Sequence, residues 1–370
     1  MKSIPFFNYS SVFREHDADY CAALTETSRR GAYIMQQELL DFEAALAEYL
    51  GVRHAFGCAD GTMALIMGLR AAGLPAGAEV IVPSHTFIAT VAAVHHAGGV
   101  PVLADTASDH LVDPASIRAM ITEKTFAVMP VQLNGRTCDM AAIGAIADEY
   151  NLVIVEDACQ ALGSTFSGRP AGTFGAAGAF SFYPSKTLGC FGDGGAVVTD
   201  DEMVAEKIRL YRDHGRGADG KVTVFGYNSR LDNIQAAVLL KKLKRYQEAI
   251  DHRRRLAAQY HYHLHSLEQL LLPPPPDADP RHFDIYQNYE IEADNRDGLR
   301  RHLEQNGVST ILQWGGFMVH QFESLGLRGN APAAEKVSAR FMLLPMNTSL
   351  SEEDVDYVCR QITEFYSKHP

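Results

Sequence analysis

The residues of this chain that could do covalent chemistry follow an apolar run near its middle. The run at 178–183 predicts a short buried strand, which Pro184 ends, and Lys186 stands on the turn beyond it. A lysine held on a rigid turn at the end of a buried strand could form a Schiff base with a carbonyl group. The competing interpretation of Lys186 alone is a surface lysine, which is what most lysines are.

A second strand, predicted at 152–155, leads to an acidic residue, Asp157. Because ligand groups gather beyond the carboxyl ends of parallel strands, Asp157 and Lys186 are predicted to lie together. Asp157 alone could be a helix cap. An acid that pairs with a pyridinium nitrogen and a lysine that holds an aldehyde are the minimum protein equipment for pyridoxal phosphate (PLP), which the joint placement favours.

Three motifs, at 156–163, 181–195 and 226–232, carry a family resemblance. They resemble the DegT/DnrJ/EryC1/StrS family, which consists of PLP-dependent aminotransferases that act on keto sugars, mostly nucleotide-linked. The resemblance covers about residues 4–366. It implies an α/β protein of PLP-transferase fold type I, like aspartate aminotransferase. Such a protein has a large domain with a mostly parallel sheet wrapped by helices, and a small C-terminal α+β domain.

The resemblance implies the cofactor contacts as well. Gly61 and Thr62 open a predicted helix, whose free N–H groups favour an anion, although the residues alone favour an ordinary capped turn. By resemblance these two bind the cofactor phosphate, and Ser181 donates its hydroxyl to it. Phe87 matches the aromatic that stacks on the pyridine ring, and Gln160 matches the residue that hydrogen-bonds O3′. Asp157 and Lys186 are the implied catalytic residues.

Three further residues are implied by position in the family. Asn228 resembles the asparagine that crosses to the cofactor phosphate of the neighbouring subunit, which implies a homodimer with shared active sites. Arg216 is a candidate for a sugar or phosphate contact, although its glycine-broken segment reads as a solvated loop. His320 matches a histidine near the substrate, although a histidine in a loop would otherwise be a surface residue.

The chain also departs from the family. Many members have histidine at the position of Gln132 and an aromatic at that of Asn134, so the usual substrate contact there is in doubt. His85 is predicted to be a polar residue with its hydrogen bonds satisfied rather than a catalyst. His261 and His265 would share a helix face, as metal ligands do, but a wet helix face is the favoured interpretation, and no metal is expected.

The resemblance implies a PLP-dependent aminotransferase, with pyridoxamine phosphate as the form between its two half-reactions. The amino donor is expected to be L-glutamate, and the acceptor a nucleotide-linked 4-keto-6-deoxyhexose aminated at C4. The alternative is amination at C3 of a nucleotide-linked 3-keto sugar. A sugar dehydratase of this family would carry histidine in place of Lys186, and a non-catalytic sensor would be expected to lack Lys186 or Asp157.

The composition of the chain bears on its possible partners and on the compartment in which it works. The net charge of −12 argues against nucleic acid as a partner. The first residues predict no signal peptide, and no apolar stretch reaches the length of a membrane span. The six cysteines are scattered without a C-x-x-C pair, which fits a cytoplasmic enzyme better than a disulfide framework.

The order of predicted elements indicates two domains. Strands and helices alternate from about residue 52 to 200, the pattern of a parallel sheet wrapped in helices. Residues 232–267 are predicted to form one long helix. The four prolines at 273–276 predict a stiff linker. We therefore expect a large domain at 1–270 and a small domain at 271–370.

Overall fold

The computed structural model describes residues 2–368, and a sheet of eight strands lies at its centre. The strands are β1 (His54–Cys58), β2 (Glu79–Pro83), β3 (Val100–Ala104), β4 (Thr125–Val128), β5 (Val153–Asp157), β6 (Thr165–Phe166), β7 (Arg169–Pro170), β8 (Ala177–Ser181), β9 (Gly195–Thr199), β10 (Leu270–Leu271), β11 (His282–Phe283), β12 (Tyr289–Ala293), β13 (Arg328–Gly329) and β14 (Phe341–Leu344).

Helices cover this sheet and build most of the rest of the chain. They are α1 (Tyr9–Arg14), α2 (Asp17–Arg29), α3 (Gln37–Leu50), α4 (Gly61–Ala71), α5 (Ile88–His96), α6 (Pro114–Met120), α7 (Met140–Tyr150), α8 (Glu202–Arg212), α9 (Asn233–Leu243), α10 (Tyr246–Leu264), α11 (Arg296–Gln305), α12 (Pro332–Ser338) and α13 (Glu352–Lys368). Short 3-10 helices occupy Leu133–Gly135, Gln313–Gly316, Val319–Gln321 and Glu323–Leu325.

The central sheet has the order β1-β9-β8-β5-β4-β2-β3-β13. Strand β9 runs antiparallel to both β1 and β8, and the other neighbouring pairs are parallel. Helix α4 is buried on nearly every side because it packs between the sheet and helices α5 and α8. The mostly parallel sheet wrapped by helices confirms the predicted fold class. It also places the carboxyl ends of β5 and β8 side by side.

A second sheet, β10-β12-β14, lies in the C-terminal part of the chain. Its apolar core is completed by α11, α13 and the second half of α10, and by Ile4 from the N-terminal segment. Strand β13 leaves this region and pairs with β3 of the central sheet. The division at residue 270 stays a prediction, and residues from both sides of that boundary share this core.

The predicted helix at 232–267 is wrong as a single element. Helix α9 ends at Leu243 and α10 starts at Tyr246, because Arg245 leaves the helical conformation with φ −114° and ψ 13°. No glycine or proline marks the break. Tertiary contacts fix it instead: the Lys242 amine donates to the Gly189 carbonyl at 2.6 Å, and the Tyr246 hydroxyl donates to the Leu162 carbonyl at 2.6 Å.

Within residues 2–368, none of the helices combines the length and the apolar character that crossing a membrane requires.

Candidate active site

Asp157 is the last residue of β5, and its carboxylate is fixed on both oxygens. One oxygen accepts the Thr90 hydroxyl at 2.7 Å, and the other accepts the Cys159 backbone N–H at 3.2 Å. Because the Thr90 hydroxyl donates its proton to Asp157, it can only accept a hydrogen bond from the Thr86 hydroxyl, at 2.7 Å. This chain of hydroxyl groups holds an almost fully buried carboxylate in one orientation at the sheet edge.

Lys186 lies on the loop that follows β8, the parallel neighbour of β5. The loop is closed by backbone hydrogen bonds from Lys186 N–H to the Tyr183 carbonyl and from Cys190 N–H to the Phe182 carbonyl, both 2.8 Å long. Burial lowers the pKa of the Lys186 amine, while Cys159 and Asp157 oppose that shift. Across residues 2–368, no hydrogen bond or salt bridge engages Nζ of Lys186, so the amine is available to a ligand.

The N-terminus of α4 meets the ends of β5 and β8 at close range. Asp60 caps the helix by accepting the Met63 N–H at 2.8 Å. A Cβ on Gly61 would lie 2.8 Å from Cys159 Sγ and 2.9 Å from Ser181 Cβ, so only glycine allows this approach. In the described chain the N–H groups of Gly61 and Thr62 have no hydrogen-bond partner. Two free N–H groups at a helix N-terminus suit a phosphate.

Phe87 lies four residues after the end of β2 and is 47 % exposed. Its ring centroid lies 6.1 Å from that of Trp314, with the two planes inclined at 32°. Phe87 is also the residue before α5, which carries Thr90 and so reaches Asp157. An exposed aromatic ring beside a buried carboxylate suits stacking on a flat ring.

Gln160 and Ser181 line a narrow space together with Lys186. The Gln160 side-chain oxygen accepts the Asn134 N–H at 2.8 Å, and Asn134 is itself bonded by the Asn288 side chain at 2.8 Å. The loop after β4 therefore orients Gln160, and the side-chain NH₂ group of Gln160 remains able to donate a hydrogen bond to a ligand.

Gln132 lies behind this site and is fully buried. Its amide donates to Glu156 at 2.7 Å, and its oxygen accepts the Cys138 N–H at 2.7 Å. These contacts occupy the side chain, so at this position the chain has a residue that packs the loop rather than one that faces a ligand.

Within residues 2–368, the remaining predicted residues make no hydrogen bond or ion pair with Lys186. Asn228 is exposed, and its backbone pairs with Asp213 at the base of a loop that reaches an almost fully exposed Phe225. Arg216, on the same loop, pairs with Asp213 at 3.4 Å. His320 is held between Ser84 and Glu335 through its two ring nitrogens, and the bond to Glu335 is 2.6 Å long.

Sequence reasoning missed several residues of the site. Thr90 and Trp314 border Asp157 and Phe87, and Gln287 bonds the lysine loop on both sides of Lys186. The position of Thr90 one helical turn after Phe87 is a signal that could have been used. Gln287 lies about a hundred residues from the loop, and no local pattern indicates that contact.

The groups that the chain brings together at this edge of the sheet fit PLP. An unengaged lysine amine and a fixed carboxylate follow neighbouring strands at one edge of the sheet, and a helix N-terminus with two free N–H groups lies against the ends of both strands. An exposed aromatic ring follows β2 of the same sheet. Each group has a matching part on the cofactor: aldehyde, pyridine nitrogen, phosphate and ring face.

Comparison with known proteins agrees with this geometry. The model of the DegT/DnrJ/EryC1/StrS aminotransferase family matches residues 14–363. A pleiotropic regulatory protein of Geobacillus stearothermophilus is 37 % identical over 98 % of this chain and 99 % of its own length. The dTDP-3-amino-3,4,6-trideoxy-alpha-D-glucose transaminase of Streptomyces venezuelae is 38 % identical, over 98 % of this chain and 96 % of its own.

Among solved structures, S. venezuelae DesV in complex with a ketimine intermediate superposes with a TM-score of 0.94. That match covers 99 % of each chain at 37 % identity. The matches of sequence and of structure both span nearly the whole chain. The chain therefore belongs to the DegT/DnrJ/EryC1/StrS aminotransferase family and is a PLP-dependent sugar aminotransferase.

Proposed function

We propose that the chain transfers the amino group of L-glutamate to the keto carbon of a nucleotide-linked sugar, with Lys186 and Asp157 as its catalytic residues. The observation that carries this proposal is the placement of an unengaged lysine amine beside a fixed carboxylate at the ends of two neighbouring parallel strands. That placement supplies the two protein groups that amino transfer with PLP requires.

PLP supplies the electron sink of the reaction when it is bound. Lys186 is the residue that would hold the PLP aldehyde, and its Nζ would take the proton from the α-carbon of the amino acid. Its lowered pKa serves this role, because a neutral amine is needed to accept a proton. Asp157 holds a proton at the pyridine nitrogen, and its hydrogen bonds from Thr90 and Cys159 keep the carboxylate aimed.

The other contacts bind and orient. Gly61 and Thr62 offer their free N–H groups to the phosphate, and Ser181 adds its hydroxyl group at the same place. With PLP bound, the exposed ring of Phe87 would cover one face of the pyridine ring, and the Gln160 amide, oriented by Asn134, would donate to O3′. Together these residues place the reacting carbon next to Lys186.

Within this class of acceptors we propose a 4-keto-6-deoxyhexose, aminated at C4. The second candidate is amination at C3, the position that the name of the Streptomyces transaminase carries. His320 and Arg216 are the proposed contacts to the sugar or its phosphates, His320 at the 3-10 helices after Trp314 and Arg216 on the exposed loop.

We also propose that the active form is a homodimer. Asn228 and Arg216 lie on a loop that carries the exposed Val222 and Phe225, and within the described residues this loop makes no hydrogen bond or ion pair with Lys186 of its own chain. An exposed apolar loop of this kind suits contact with a second subunit. In the dimer, Asn228 reaches the phosphate site of the neighbouring chain.

The test is transfer of ¹⁵N from labelled L-glutamate to sugar. The purified enzyme with PLP is incubated with a nucleotide-linked 4-keto-6-deoxyhexose or with a 3-keto sugar. Mass spectrometry detects the amino sugar, and NMR locates the nitrogen. We expect ¹⁵N at C4 of the first acceptor. Transfer only to the 3-keto acceptor would replace C4 by C3, and label in neither would refute the proposed acceptor class.

The matched variants are Lys186→Ala and Lys124→Ala, the latter at an exposed lysine that directly precedes β4, at the other end of the strands from Lys186. Loss of a positioned proton carrier costs on the order of 10²–10⁴ in rate, and Lys186→Ala should lose at least that much because it also holds the cofactor. Lys124→Ala should transfer ¹⁵N at the wild-type rate. A Lys186→Ala protein that keeps the wild-type rate would overturn the assignment.

A further inference from the structure

Two histidines and a glutamate meet in the interior, next to Trp314. His85 follows β2, His110 follows β3, and Glu290 belongs to β12 of the second sheet. Their ligand atoms all lie within 4.8 Å of one another. The His85 and Glu290 side chains are 0 % and 3 % exposed, and His110 is 11 % exposed.

His85 is not the satisfied polar residue that the sequence predicted. Neither of its ring nitrogens has a hydrogen-bond partner, although both are buried. The nearest acceptor, the second oxygen of Glu290, lies 3.5 Å from Nε2 and also lacks a hydrogen bond. A buried polar group without a partner costs free energy, and such groups require an explanation in a native structure.

His110 stands between two carboxylates. Its Nδ1 lies 2.7 Å from Glu290 and its Nε2 lies 3.1 Å from Glu292, and Arg340 bonds the other oxygen of Glu292 at 3.0 Å. A histidine that donates one N–H to a carboxylate and directs its other nitrogen into a site has the arrangement typical of metal ligands.

From these contacts we propose that His85, His110 and Glu290 form a binding site for a divalent transition-metal cation such as Zn²⁺. Zinc takes nitrogen and oxygen ligands at ~2.0–2.2 Å, which in a tetrahedron separates them by roughly 3.3 Å. The 3.5 Å between His85 Nε2 and the Glu290 oxygen matches that spacing. Binding replaces the proton on His110 Nδ1, and water completes the four ligands.

The cation would join the two parts of the fold beside the candidate active site. His85 and His110 extend from the central sheet, and Glu290 from the second sheet. The His85 ring contacts Trp314 edge-on at 5.7 Å, and Trp314 faces Phe87. The metal site is structural. It fixes the position of Trp314 beside Phe87 and takes no part in amino transfer.

The test uses PLP-loaded enzyme that is stripped with a chelator and then dialysed against Zn²⁺. Elemental analysis gives the zinc content and calorimetry the affinity. We expect one Zn²⁺ per wild-type chain and a Tm that rises with Zn²⁺ concentration, because a ligand that binds the folded state stabilises it. His85→Asn and Glu290→Gln should lose this zinc and the Tm response.

Two further variants distinguish a specific loss of zinc binding from a general loss of folded structure. Glu292→Gln removes only the carboxylate behind His110 and should weaken zinc binding about 10–100-fold. His263→Asn removes a surface histidine that pairs with Asp356 at 2.9 Å, and it should bind zinc as the wild type does. The proposal fails if the wild type binds no Zn²⁺, or if folded His85→Asn and Glu290→Gln, verified by circular dichroism, bind it with wild-type affinity.

Discussion

At the scale of single residues, the reactivity of Lys186 is a balance of opposed effects. Burial disfavours the ammonium form and lowers the pKa of this amine. Asp157 stands close by and favours the charged form of the amine. Burial raises the pKa of the neighbouring Cys159 thiol, which keeps that sulfur protonated at neutral pH, so it adds little to the effect of Asp157.

The pH dependence of Lys186 acylation follows from this balance. In cofactor-free protein, Lys186 should react with an acylating reagent at lower pH than a free lysine, whose pKa is about 10.4, because more of it is neutral. Peptide mass spectrometry measures the rate at Lys186 against the exposed Lys124. Asp157→Asn removes a group that raises the pKa, so it should move the Lys186 curve to still lower pH. A shift to higher pH would contradict this account.

At the scale of elements, the lysine loop is held by a residue from the segment before β12. The Gln287 oxygen accepts both the N–H and the hydroxyl of Thr187 at 2.7 Å, and its amide donates to the Ser185 carbonyl at 2.8 Å. Gln287 therefore bonds the residues on both sides of Lys186. It is a positioning residue, and it couples the second sheet to the reacting amine.

Gln287→Ala should lower kcat by about 10–100-fold, because a displacement of ~1 Å at a reacting group can cost that much. KM for either substrate should change little, since the cofactor and its contacts remain. Steady-state kinetics with glutamate and the keto sugar measures both constants. The matched control is Gln235→Ala, which removes a similar clamp on Phe191 of a neighbouring segment. If Gln287→Ala lowers Tm but leaves kcat unchanged, the residue supports the fold alone.

Sequence reasoning can predict those residues of the candidate site that directly follow an apolar run. Lys186 and Asp157 come directly after apolar runs, and parallel strands bring such ends together. It could not predict the break between α9 and α10, since residues 233–264 contain no glycine or proline and the break depends on contacts to distant loops. The unsatisfied His85 was equally hidden, because Glu290 lies on the other sheet.

At the scale of the whole molecule, polar contacts tie the second sheet to the central one. His110 pairs with β12, and Arg136 pairs with Asp284 at 2.5 Å, a carboxyl whose pKa burial raises. In the metal-free protein, the glutamates of β12 hold the pKa of the His110 ring at about 10 despite its burial. Because this raised pKa favours the cation, the contribution to stability is fully present below the ordinary histidine pKa of about 6.5 and is lost as pH rises through about 10.

The proposed dimer predicts that two inactive variants can restore activity to each other. If Asn228 acts in the neighbouring active site, a Lys186→Ala chain and an Asn228→Ala chain are each defective alone but complement each other. A mixed dimer has one site with an intact lysine and an intact asparagine from the other chain. Random pairing of equal amounts makes half of the dimers mixed, so about one quarter of all sites become active.

The measurement is the rate of ¹⁵N transfer after the two variants are co-expressed and after each is expressed alone. The control pairs Lys186→Ala with Asp157→Asn. Both of these residues belong to the same chain's site, at the ends of β8 and β5, so every mixed dimer keeps two damaged sites. Recovery in the first pair and none in the second is the expected result. An Asn228→Ala protein that is fully active alone, or recovery in both pairs, would show that Asn228 does not complete its neighbour's phosphate site.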